Sequence, residues 1–236
     1  LPPKSKESES QPEKPLDFSA LKTLNASGSV KVGSLKLYNV KASNVRLEFR
    51  AGDGKLELSP LAASMYQGAA SGSLSLNAAG PSVAVRQNIT GVSIGPLIKD
   101  ALDKDVLEGR GSVNIDVATQ GNVVSAMKKS LQGKAALNLR DGAVKGINIA
   151  ATLREAKSRM GVLKGEKVQA ASAQEQTDFS ELTASFSIQR GVAHNEDLAA
   201  KSPLLRLAGN GDIDIGAERL DYLARATVVG TLEGQG

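Results

Sequence analysis

The sequence has no cysteine and no tryptophan, a single histidine, four phenylalanines and three tyrosines. Without cysteine there are no disulfides, thiolate zinc sites or cysteine nucleophiles, and a reducing or an oxidising compartment fits equally well. One histidine leaves little from which to build a transition-metal centre, and no cofactor is expected. Seven aromatic rings in 236 residues disfavour base stacking as a binding mode. The charge balance, 29 basic against 25 acidic residues, gives a net +4 spread along the chain, so no nucleic-acid footprint is formed. No apolar run reaches the roughly 18 residues of a membrane-spanning helix, and the N-terminus lacks the basic, apolar and cleavage regions of a signal peptide. Any export signal or membrane anchor is therefore expected outside this sequence.

What is present is alternation. The opening LPPKSKESESQPEKP is rich in proline and charge and poor in apolar side chains, so residues 1–16 are expected to form a flexible linker. Residues 17–236 are expected to form one domain. From Asp17 onward apolar residues recur at i and i+2: Val30 and Val32; Val45, Leu47 and Phe49; Leu56 and Leu58; Leu74 and Leu76; Val83 and Val85; Val113, Ile115 and Val117; Leu137 and Leu139; Phe186 and Ile188. Period two places each set on one side of a pleated strand, with Ser, Asn, Asp, Lys or Arg on the other.

Asp53-Gly54 and Asp141-Gly142 each follow such a strand, and Asp-Gly is favoured where a tight hairpin turn needs positive φ. Both are expected to close antiparallel hairpins. A loose repeat, ASGSVKV (26–32), ASGSLSL (70–76), GRGSVNIDV (109–117) and GNGDIDI (209–215), puts glycines at strand entries. Its irregular spacing argues against a solenoid and for bends or bulges that curve a sheet. Three helices are expected: Pro96 begins one over LIKDALDKDVL, Asn122 caps VVSAMKKSL, and Asn148 caps IAATLREAKSRM.

Catalytic constellations are weak. Gly91-Val92-Ser93-Ile94-Gly95 matches a nucleophile elbow between a strand and a helix, with Asp178 and His194 downstream in triad order. That motif belongs to a parallel sheet of continuously apolar strands, whereas these strands are amphipathic and hairpin-linked. His194, in VAHNEDL, is expected in a turn. Asn210, Asp212, Asp214 and Asp221 fit ligand positions of a calcium loop, but Ile215 occupies the place that requires glycine. Alternation already explains these acids as the wet side of a strand. Gly54-Lys55 lacks the first glycine and the Ser/Thr of a phosphate loop.

Two stretches carry a family resemblance. LNLRDGAVKGINIAATLREA (137–156) resembles the strand, Asp-Gly turn and helix passage of the AsmA family. FSELTASFSIQRGVAHNEDLAAKSPLLRLAGNGDIDIGAERLDY (179–222) resembles that family's C-terminal signature, with its RGV, SPLLR, GNGDIDI and LDY elements. The likeness extends over residues 17 to about 230. It implies a periplasmic part of a protein anchored in the inner membrane of a Gram-negative bacterium, concerned with outer-membrane assembly and lipid homeostasis. It also implies kinship with chorein-type bridge-like lipid transfer proteins, in which curved sheets form an apolar groove, and it carries over no catalytic residue.

Alternation alone fits a sealed core as well as a groove, and the resemblance selects the groove. The expectation is thus a mainly β fold: a curved antiparallel β-sheet forming an apolar groove, with a few short α-helices. It would act without catalysis in moving phospholipid between the two membranes. Phospholipid acyl chains are the expected ligand and Val45, Leu47, Phe49, Leu56, Leu58, Leu74, Leu76, Leu205, Leu207, Ile213 and Ile215 the candidate lining. The rival expectations are an adaptor domain that binds envelope protein partners through strand edges, and a serine hydrolase built on Ser93.

Overall fold

A computed structural model of the chain describes residues 13–146, 176–203 and 205–229. Among them, eleven strands form one sheet in chain order: β1 (Ala26–Leu37), β2 (Val40–Gly52), β3 (Lys55–Met65), β4 (Gly68–Asn77), β5 (Ser82–Ser93), β6 (Arg110–Gln120), β7 (Gln132–Lys145), β8 (Gln176–Gln189), β9 (Val192–Lys201), β10 (Leu205–Asp214) and β11 (Arg219–Val228). Every neighbouring pair is antiparallel. The sheet is curved and does not close on itself. Helix α1 (Ile94–Leu102) joins β5 to β6, and α2 (Val124–Ser130) joins β6 to β7 at the opposite end. The helix expected after Asn148 lies outside the described residues.

Register turns the alternation of single strands into one continuous face. Phe49 lies opposite Leu58, Leu58 opposite Leu74, Leu74 opposite Val85 and Val85 opposite Val117. The row continues through Gly133, Ile188, Ala193, Ile213 and Leu220 to the far edge. Directly opposed residues in an antiparallel pair point to the same side. Neighbouring apolar side chains therefore merge into rows that cross all the strands, and Arg, Asp, Asn and Ser form the other face.

Glycines set the curvature toward the apolar side. At Gly72, on the apolar parity, an added Cβ meets the Arg86 carbonyl oxygen at 1.9 Å. Only the absence of a side chain lets the next strand come in that close, and such approaches on one face make the sheet curl over it. Gly211 answers for the break in GNGDIDI. It has φ +152, and between Gly209 and Gly211 the β9–β10 pairing shifts register by one residue. The extra residue lies in β9, where Asn195 to Leu198 spans three residues against two in β10, so Ala193 and Leu198 stay on the same side as Ile213 and Leu207.

Asp53 and Gly54 form the β2–β3 turn with φ 51 and 72, as the turn chemistry predicts. Asp141-Gly142 is different and does not close a hairpin. It lies inside β7, where Asp141 has φ 48 and Gly142 pairs with Phe179. The glycine is required there for another reason: its Cβ position is 2.1 Å from the Glu108 carbonyl, because the segment before β6 runs against this strand. Glu108 and Ala143 exchange backbone hydrogen bonds. Pro96 falls in the third residue of α1, not its first, and α1 stops at Leu102 before a left-handed Asp103. Asn122 lies one residue before the N-cap of α2, which is Val123.

Gly72→Ala is expected to lower stability by about 1–3 kcal/mol through overpacking. Gly33, with nothing within 4 Å of its Cβ position, should tolerate alanine within about 0.5 kcal/mol. Urea midpoints of the two variants check this; equal midpoints contradict it.

Candidate functional site

The apolar face is sealed at one end and accessible over much of the rest. At the α1 end, Ile94, Leu139, Phe179, Leu182 and Ala200 form a buried cluster, and Leu97, Ile98, Leu107 and Leu207 pack against it. Helix α1 therefore plugs the sheet there. It is pinned by polar contacts on both flanks: Asp100 accepts a hydrogen bond from Tyr66 Oη at 2.8 Å and pairs with Lys41 at 3.3 Å. Just beyond the helix, Lys145 Nζ meets Asp105 at 2.8 Å and Glu108 at 2.5 Å. The Tyr66 hydroxyl, then Lys41, hold the Asp100 carboxyl below the usual carboxylate range.

Away from that plug most of the large apolar side chains are half-buried, with Ile188 buried among them. Leu47, Phe49, Leu56, Leu58, Leu74, Leu76, Leu207, Ile213 and Ile215 are all in this state, whereas Val45 and Leu205 are 3% and 1% exposed. The strand residues among them share the apolar face, and Ile215 follows β10 in phase, its N–H bonded to the Gly191 carbonyl. The half-buried members border open space. Val45 and Leu205 support the face from within. Further residues on the same rows, Leu61, Val83, Val85, Ile115, Val117 and Phe186, are half-buried as well. Their alternation was visible in the sequence, but membership of one face required the register.

A polar network that the sequence did not announce is buried on the apolar side of β9–β11, where Asn195 lies opposite Gly211 and Gly211 opposite Tyr222. Asn195 is 1% exposed; its Nδ2 donates to the Ser185 carbonyl and to Asp197 Oδ1, both at 2.7 Å. Its Oδ1 accepts from Leu198 N at 3.2 Å and from the Tyr222 hydroxyl. Ser185 in turn donates its hydroxyl and its N–H to Asp197, which lowers the pKa of that carboxyl. These bonds hold β9 through the register shift it makes against β8 and β10. That is why a polar stretch expected to turn continues as a strand. The signal, a run of Asn, Glu and Asp between apolar residues, is indistinguishable from a turn when read alone.

His194 is accordingly in β9 and not in a turn. Its Nδ1 lies 2.7 Å from Asp212 and its Nε2 3.0 Å from Glu196. Both ring nitrogens are occupied by partners other than Ser93 and Asp178. Ser93 ends β5, opposite Arg110, and Asp178 in β8 takes a hydrogen bond from Gln176. The triad is not assembled, and the sheet is antiparallel throughout. Two of the three acids of the calcium frame are also engaged, Asp212 with His194 and Asp214 with Ala217 N and Arg219. No group of three or more potential metal ligands occurs among the described residues.

Glu196 first, then Asp212, raise the imidazole pKa by accepting hydrogen bonds from the charged ring. The stabilisation from protonated His194 is fully present below the ordinary imidazole range and is lost as pH rises through the raised folded pKa. The ring is half exposed, so the effect on stability is small. As the only histidine, it is a clean NMR reporter: its midpoint is expected above the ordinary value, and Glu196→Gln or Asp212→Asn should bring it down. A midpoint indifferent to both substitutions contradicts the geometry.

Comparisons with known proteins place the sequence in a family. A family model described as the AsmA family matches residues 5–198. Protein AsmA of Escherichia coli (strain K12) is 22% identical over 220 residues, which cover 92% of this chain and 35% of that protein. The chain thus spans about a third of the length of that relative. No solved structure matches it. On the family model, which takes in most of the chain, this protein belongs to the AsmA family.

Proposed function

We propose that this chain is a non-enzymatic, periplasmic segment of an envelope protein. In this proposal it holds phospholipid acyl chains against its curved apolar face as they pass between inner and outer membranes. The observation that carries the proposal is a row of directly opposed residues, from Phe49 in β2 to Leu220 in β11, whose large apolar members, buried Ile188 apart, are not sealed into a core. With strands about 4.8 Å apart, the sheet offers a band on the order of 48 Å across. Each methylene leaving a bilayer costs about 0.8 kcal/mol, so a chain of about 16 carbons resists transfer into water by roughly 12 kcal/mol. An apolar band removes most of that cost, while the polar face keeps the sheet wetted. No acid, base or metal is needed for such a task.

Membership of the AsmA family, associated with outer-membrane assembly, supports the envelope setting. No helix among the described residues is long and apolar enough to cross a membrane. Anchorage in the inner membrane is part of the proposal.

A second reading is favoured by one observation: among the described residues β1 and β11 each pair on one side only, and β11 exposes Leu220, Leu223 and Val228. A free strand edge of this kind suits β-augmentation by a protein partner. The two readings separate on one experiment. Uptake of labelled phospholipid by the detergent-free protein is expected for the wild type. Leu58→Asp combined with Leu74→Asp should reduce it by about tenfold or more, equivalent to at least about 1.4 kcal/mol, with the circular dichroism spectrum retained. Lipid-free protein that takes up no label refutes transport; partner capture that survives polar substitution at Leu47 and Leu58 supports the adaptor.

A further inference from the structure

At the α1 end of the sheet, one cross-strand row of the polar face reads Ser93, Arg110, Arg140, Glu181, Lys201 and Arg206 from β5 to β10. Arg110 and Arg140 are direct partners, and so are Lys201 and Arg206. A third cationic pair, Lys36 opposite Lys41, stands at the same end but on the parity of Val32 and Val45, and Lys41 already pairs with Asp100. Like charges directly opposed in an antiparallel pair repel. Their recurrence at one end of the molecule calls for a counter-charge.

The protein supplies little of it. Glu181 is the only acid in the row and is taken by Lys201 at 2.6 Å. The Arg110 guanidinium donates to the carbonyl oxygens of Gly91 and Gln67, and Arg206 to those of Ser202 and Leu205. Among the described residues, none of Arg110, Arg140 and Arg206 has a carboxylate within ion-pair distance. The nearby acids Asp100, Asp105 and Glu108 are matched by Lys41 and Lys145. All four cations of the row are exposed. Arg110 opens β6, Lys201 closes β9 and Arg206 is the second residue of β10, whereas β7 and β8 run five residues past Arg140 and Glu181, so the row crosses the polar face near this end and not along its outermost edge.

We propose that this cationic row docks the polar face, near the α1 end of the sheet, onto a bilayer surface rich in anionic phospholipid headgroups. From β6 to β10 the row spans four strand spacings, about 19 Å. That shape suits a plane of phosphates better than a single small anion. Guanidinium groups already oriented by backbone carbonyls keep free donors for phosphate oxygens. The choice of a lipid surface over an acidic protein rests on the lipid-handling reading above, and the docked region lies near the end that α1 plugs.

Flotation of the whole chain with vesicles of phosphatidylglycerol, and separately of phosphatidylcholine, tests this. Partition onto phosphatidylglycerol alone is expected, falling as salt is raised. Arg140→Ser and Arg206→Ser should each lower it about fivefold, the equivalent of about 1 kcal/mol per cation near an anionic surface, with unfolding midpoints unchanged. Equal partition onto both lipids, indifference to the double variant, or equally tight capture by soluble polyglutamate each overturns the proposal. Uptake of labelled phospholipid is measured on the same variants and is expected at the wild-type level. Charge-dependent docking without any uptake sinks transport and leaves the cationic row standing; uptake without docking does the reverse.

Discussion

The structure depends on the register of antiparallel pairing. Each strand here has a modest apolar side, and none of them separately makes a binding surface. The hairpin turns and bulges bring Phe49, Leu58, Leu74, Val85 and Val117 opposite one another in sequence. A one-residue slip in any pair without a compensating bulge moves half of the rows to the wet side. The bulges of this sheet are therefore corrections. The shift between Gly209 and Gly211, and the Asn195 network that steadies the neighbouring strand, preserve the phase of the apolar face across β9 and β10.

The same face does two jobs at different places. Where α1 lies on it, side chains such as Leu139 and Val92 are fully removed from solvent and form the core that stabilises a single-layer sheet. Farther along, no second layer of described residues seals the face, and most of its large side chains are only half-buried. A sheet with both regions can remain folded while empty and still offer an apolar surface to a ligand. Sealed and open lengths side by side replace the simple choice between core and groove that alternation poses.

Much of this was legible in the sequence because period-two patterning reports directly on strands and on which residues share a side. The mainly β class, the antiparallel connection at Asp53-Gly54 and the parity of Leu47, Leu74 and Ile213 follow from local chemistry. What was not legible depends on distant pairing. Asp141-Gly142 carries the chemistry of a hairpin turn, yet tertiary contact with the segment before β6 keeps it inside a strand. VAHNEDL looks like a turn until Ser185 and Tyr222 supply the partners that let Asn195 be buried. Burial of Val45 and Leu205, against half-exposure of Leu47 and Leu207, is likewise set by what packs from elsewhere. The cationic row is invisible in a chain whose basic residues are evenly spread, since only register lines them up.

The most direct measurement is photo-crosslinking to phospholipid from adjacent positions of β4. Leu74 lies on the apolar face, in register with Leu58 and Val85, and Ser75 lies on the opposite one, in register with Glu57 and Ala84. A photoreactive amino acid at position 74 is predicted to give lipid adducts in the cell, and the same group at position 75 to give none. Equal labelling at both positions, or adducts confined to 75, would contradict an acyl-chain surface on the inner side of this sheet.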